Sequence, residues 1–183
     1  ENYTNSIVAA SDVYKRQDGD SLIAELGKAE ISPRFVKRGS AASGHAVIQV
    51  DEEGRNSIVI SAGANRELDS DQIQDAVLRL EGNDWLLLQN ETNGIAEAIE
   101  LAAQEEKKVA INIAPADERM FDYPLSKVAL LIVNELEAMA LSSQPSPRRA
   151  FDWLINAYTE IDIVLTLGEE GVWSYRAKDS ARK

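Results

Sequence analysis

The sequence predicts an α/β fold: a parallel sheet flanked by helices, with a small β hairpin beside it. Three observations carry this. From Trp85 onward, short apolar runs alternate with helix-like stretches. The runs at 85–88 and 128–133 end abruptly on polar residues, 109–113 on Ala114-Pro115-Ala116, and 163–167 on Gly168-Glu169-Glu170-Gly171. Upstream, two β-branched stretches, 46–50 and 57–61, flank the polar piece Asp51-Glu52-Glu53-Gly54, which reads as a hairpin turn.

The chain has 183 residues, enough for one domain with a real core but not comfortably for two. A net charge of -12 argues against a nucleic-acid backbone or an anionic membrane as partner. It leaves nucleotides open, because helix N-termini and a metal ion can hold phosphates without bulk positive charge. There is no cysteine, hence no disulfide framework, thiolate nucleophile or cysteine zinc site. No signal peptide or membrane-length apolar run is evident, so the cytoplasm is the expected compartment.

Residues 1–17 show no sustained apolar period. They read either as a segment foreign to the domain or as a frayed N-terminus. The partial domain is expected over 18–183. Residues 18–30 form a short helix, with Leu22, Ile23 and Leu26 at helical spacing, and Pro33 keeps it from continuing. After the hairpin, Gly63-Ala64-Asn65 marks a turn. Residues 69–80 form a helix with Asp69 as N-cap and Gln72 at the capping-box position. Strands are expected at 85–88, 109–113, 128–133 and 163–167, with helices at 94–106, 135–141 and 147–158. The run 128–133 is continuously apolar, as a parallel strand buried on both faces would be.

Parallel strands put their carboxyl ends on one edge, where open α/β sheets place ligands. That edge would carry Glu91, Asn112, Asn134 with Glu137, and Thr166 with Gly168. Each has a purely structural reading as well. Glu91 could cap the next helix, since carboxylates are favoured near its positive end. Asn134 could be a turn residue or an N-cap, Glu135 and Glu137 solvated first-turn acids, Thr166 a half-buried strand residue, and Gly168 and Gly171 the makings of a tight turn. His45, the only histidine, reads as a strand-surface residue.

Several short stretches resemble the ribokinase-like (PfkB) family of carbohydrate kinases. They are Ser43-Gly44, Gly63-Ala64-Asn65, Leu88-Gln89-Asn90-Glu91, Asn112-Ile113-Ala114-Pro115-Ala116, Asn134-Glu135-Leu136-Glu137, and Thr166-Leu167-Gly168 with Gly171-Val172. Each is weak alone; their order and spacing over about 18–175 make the resemblance specific. One departure is Ile113, where the family usually has proline. The resemblance implies ATP-dependent phosphorylation of a sugar hydroxyl, with ribose, giving ribose 5-phosphate, as the favoured acceptor. It implies Glu91 in the sugar pocket, Asn134 near the ATP phosphates, and Glu137 holding Mg2+ through water. Thr166, Gly168 and Gly171 would form the turn that contacts the nucleotide. It implies that the hairpin belongs to a β lid over the sugar that pairs with a second subunit, hence a homodimer. A nicotinamide-dependent oxidoreductase would need a Gly-x-Gly-x-x-Gly turn, which the sequence lacks. A non-catalytic carbohydrate- or nucleotide-binding module is the alternative.

The family's opening Asn-x-Asp strand and its Gly-Ala-Gly-Asp segment, which carries the catalytic base, do not occur within these residues. The 183 residues alone are therefore expected not to phosphorylate ribose at a useful rate, since a general base and an oxyanion-type site are each worth about 100-fold or more. Coupled ATP turnover with ribose measures this. Ribose-dependent turnover abolished by Glu91→Ala would instead put a base inside this chain.

Overall fold

The expected strands and helices form in the expected order, with boundaries moved by no more than a few residues. The structure is a computed structural model and describes residues 16–50 and 56–177. Expectations for residues 1–15, for the Asp51-Glu52-Glu53-Gly54 turn, and for the Ile58 side chain as part of an exposed apolar surface of the hairpin lie outside the described residues. The chain divides into two compact units. One comprises the described residues up to Gln72 with Glu91–Asn93; the other comprises Ile73–Asn90 and Gly94 onward.

The first unit opens with α1 (Arg16–Lys28), which starts two residues before its sequence signals. Strands β1 (His45–Val50) and β2 (Asn56–Ser61) pair antiparallel, with Val47 opposite Val59. Side chains alternate between the two faces of a strand. Val47 and Val59 therefore lie on one face, and Ile48, Val50 and Ile60 on the other. All of them are at least 47% exposed. The hairpin thus shows apolar surface on both sides.

Gly63 turns the chain after β2 at φ +50°, and a Cβ there would sit 2.2 Å from the Ala42 carbonyl oxygen. The Glu67 carboxylate accepts bonds from the Ser40 hydroxyl at 2.6 Å and from the Ser40 and Ala41 N–H groups at 2.7 and 3.1 Å. The Ser40 hydroxyl leads in lowering the Glu67 pKa. These bonds fasten the loop that feeds β1. Helix α2 (Ser70–Leu78) starts as expected, with Asp69 accepting the Gln72 N–H at 2.7 Å, a bond that holds the Asp69 pKa below its usual value.

The second unit takes up α2 from Ile73 on, and the order then is β3 (Trp85–Gln89), α3 (Ile95–Gln104), β4 (Lys108–Asn112), β5 (Leu130–Asn134), α4 (Glu135–Ser142), α5 (Pro147–Ala157), β6 (Asp162–Thr166) and β7 (Val172–Tyr175). The sheet runs β3-β4-β5-β6-β7. Strands β3 to β6 are parallel, and the 172–175 stretch closes the sheet as an antiparallel edge strand. Register places Leu86 beside Val109, Ile111 beside Leu131, Leu131 beside Ile163, and Val133 beside Leu165. This face is the core: Val109, Ile111, Leu131, Val133, Ile163 and Leu165 have no exposure at all. Ile99 of α3 and Leu154 of α5 are equally sealed.

The opposite face corrects one expectation. A continuous apolar run implies burial on both sides. Here burial alternates along β5 and β6, and Trp85 and Leu87 of β3 are 45% and 68% exposed. On the second face Ala110 is buried, but Leu130, Ile132 and Val164 are only partly covered among the described residues. This gives a contrast to measure. Leu131→Ala should cost about 2–5 kcal/mol in urea unfolding, through lost transfer energy and a cavity, while Leu87→Ala should stay within about 0.5 kcal/mol. Equal costs would refute the assignment of faces.

Candidate functional site

Parallel β3 to β6 bring Asn112, Asn134 and Thr166 to the same edge of the sheet, each as the last residue of its strand. Asn134 and Thr166 are direct partners across β5 and β6. The sequence turns from strand to helix at Asn134 without a loop, so one residue ends β5 and caps α4.

That cap is reciprocal. The Asn134 side-chain oxygen accepts the Glu137 N–H at 2.9 Å, and one Glu137 carboxylate oxygen accepts the Asn134 N–H at 2.8 Å. The Asn134 amide also donates to the other carboxylate oxygen at 2.8 Å. Glu137 is only 5% exposed, so this is a buried acid held at a helix N-terminus, where the backbone dipoles favour negative charge. The structural reading of Asn134 as N-cap is correct, but Glu137 is not a solvated first-turn acid. Thr166 is half-buried, with its hydroxyl 3.5 Å from the Val133 carbonyl.

Beyond β6 the chain folds back in a tight turn. The Leu167 N–H donates to the Gly171 carbonyl at 2.8 Å, and the Gly171 N–H donates to the Gly168 carbonyl at 3.2 Å. Gly168 has φ +56° and Gly171 φ +93°, and a Cβ at either would meet nothing within 4 Å. Conformation demands these glycines, and their backbone faces open space.

A magnesium ion held directly by protein would need a cluster of ligands, and no group of three or more His, Asp or Glu side chains suited to a metal exists among the described residues. Both Glu137 oxygens already accept hydrogen bonds. They retain lone pairs for water. The residues therefore fit an ion that keeps its waters and takes its direct ligands from phosphates, as magnesium commonly does.

At the end of β3, Glu91 is half-buried and its carboxylate makes no hydrogen bond or ion pair among the described residues. It does not cap α3, whose N-cap is Gly94. Its neighbours are firmly held. Asn90 is fully buried: its N–H donates to the Ala114 carbonyl at 3.1 Å and its side-chain amide to the Pro115 carbonyl at 2.6 Å. Tyr123 donates its hydroxyl to the Asn90 side-chain oxygen. Burial raises the Tyr123 pKa, so the hydroxyl keeps its proton at neutral pH. Arg119, forked onto Asp117, donates to the Asn90 backbone carbonyl at 3.0 Å. Sequence reading did not find this network; nothing in one sequence couples Asn90 to Tyr123. The Ala114–Pro115 peptide of the same loop is cis. The Ile113 N–H donates to the Ile132 carbonyl at 3.2 Å, a bond the family's usual proline could not make.

With this geometry in hand, similarity to known proteins is informative. A family model described as pfkB family carbohydrate kinase matches residues 5–182. The chain is 32% identical over 141 residues to a ribokinase of Haemophilus influenzae, covering 73% of this chain and 45% of that protein. It is 32% identical over 161 residues to a ribokinase of Mus musculus, covering 84% and 50% respectively. A ribokinase of Cryptococcus neoformans solved in complex with ADP shares the fold, with TM-score 0.72 and 23% identity over 96% of this chain and 58% of that one. The chain spans about half the length of the curated relatives it matches. The ribokinase-like α/β architecture and the match along nearly the whole sequence lead to one assignment: the chain belongs to the pfkB family of carbohydrate kinases.

Proposed function

We propose that these residues supply the nucleotide side, and one carboxylate of the sugar pocket, of a cytoplasmic ATP-dependent sugar kinase. Ribose is its favoured acceptor and ribose 5-phosphate its product. The observation that carries the reading is the paired placement of Asn134 and Thr166 at the carboxyl edge, with Glu137 locked behind them. Phosphoryl transfer is won mainly by positioning and by charge stabilisation. Asn134 would meet the ATP phosphates. The open backbone of the Gly168–Gly171 turn would contact the nucleotide, with Thr166 beside it. Glu137 would orient the water shell of a magnesium ion, which when bound spreads the phosphate charge. Glu91, whose carboxylate is uncommitted among the described residues, would accept hydrogen bonds from sugar hydroxyls. The ribokinase relatives support ribose over other sugars.

The partner proposed for the hairpin is a second copy of the chain. Val47, Ile48, Val50, Val59 and Ile60 expose more apolar surface than a two-stranded hairpin can hide by itself. No helix among the described residues is long and apolar enough to cross a membrane.

Glu137→Gln tests the reading in the full-length protein. Glutamine keeps the cap through its one oxygen but sets its NH2 against the second Asn134 donor, so a modest loss of stability is expected while the fold, checked by circular dichroism, is kept and the negative charge is lost. The magnesium concentration for half-maximal ribose-dependent turnover should rise about 10- to 100-fold, the usual effect of losing an outer-sphere partner. An unchanged magnesium requirement, or ATP turnover that ignores ribose, would contradict the proposal.

A further inference from the structure

We infer that Arg119, Tyr123 and Asn93 are positioning residues for the Glu91 carboxylate, bracing the backbone on either side of it. The inference rests on the proposed reading of Glu91 as a sugar-binding group. Each brace lies inside one compact unit and acts on Glu91 through the covalent chain.

The upstream brace acts on a single peptide plane. The Asn90 carbonyl oxygen and the Glu91 nitrogen belong to the same planar unit. Arg119 grips that oxygen at 3.0 Å while Asp117 fixes the guanidinium through a two-pronged contact. Tyr123 and the Pro115 carbonyl take the two ends of the Asn90 side-chain amide. A fully buried asparagine needs such partners, since an unpaired amide would be costly.

The downstream brace is equally specific. The Asn93 side chain accepts the Leu68 N–H at 3.0 Å and donates to the Leu68 carbonyl at 2.7 Å, copying a strand pairing with one residue. Arg66 donates to the Thr92 carbonyl at 3.2 Å. From Asn90 to Asn93, then, each residue but one has its side chain or carbonyl tied down, and that one is the acid whose carboxylate has no partner among the described residues. A solvated loop acid requires no such bracing. A carboxylate that must meet hydroxyls at fixed positions does, because preorganised support decides the precision of a binding site.

The test uses the full-length protein containing this chain, with ribose and ATP as substrates. Arg119→Met and Asn93→Ala should each raise the KM for ribose about 10-fold, while the KM for ATP moves less than about two-fold. Tyr123→Phe keeps the ring volume, removes the bond to Asn90 and should shift the ribose KM in the same direction; it decides the matter if Arg119→Met does not fold. Glu91→Gln is measured alongside. If it raises the ribose KM and the brace variants do not, even where they lower the urea midpoint, the bracing is merely structural and the inference falls. If Glu91→Gln leaves the ribose KM unchanged, the sugar-binding reading of Glu91 falls, and the inference with it.

Discussion

Parallel pairing of β5 with β6, in the register that sets Asn134 opposite Thr166, is the constraint on which the proposed nucleotide side depends. A shift of one residue would turn each side chain to the other face. Leu131, Val133, Ile163 and Leu165 forbid it, because all four are sealed in the core and the slip would move one strand's pair into the half-exposed face. Burial of four aliphatic side chains therefore fixes the separation of two polar ones. The core and the site are consequences of one register.

The second constraint is local. Strand and helix meet at Asn134 with no intervening loop. The helix would begin with unsatisfied N–H groups, and the reciprocal bonds between Asn134 and Glu137 meet two of those needs. The same bonds hold the Glu137 carboxyl group in a place that is 5% exposed. A structural cap and a proposed functional acid are thus one object. The structural and functional readings of these residues do not compete: the cap is what makes the acid's position dependable.

How much of this was legible in the sequence varies by residue. The apolar runs and polar stops gave the order of β3, α3, β4, β5, α4, α5 and β6, because periodicity reports burial directly. The run 128–133 misled on one point: it reports apolar character on both faces, and it cannot say what covers each face. Asn134 was legible at the strand end, but Glu137 reads from sequence as a solvated acid; its three-residue spacing from Asn134 is a capping signal that only the reciprocal bonds of the structure bring out. Glu91 was ambiguous, since an acid ahead of a helix ordinarily reads as a favourable charge; only the left-handed Gly94 at the N-cap and the carboxylate's lack of partners among the described residues separate the two roles. The Asn90 network was invisible, because Arg119 and Tyr123 reach it across a loop whose path no local pattern encodes.

The central claim, that the carboxyl edge around Asn134 and Thr166 is a nucleotide site, is tested most directly by amide chemical shifts of the isotope-labelled chain titrated with Mg–ADP. The account predicts saturable shifts at Asn134, Glu137, Thr166, Gly168 and Gly171, with the hairpin residues Val47 and Val59 unmoved. Saturable shifts confined to residues away from that edge, or none in a chain that is folded, would contradict it.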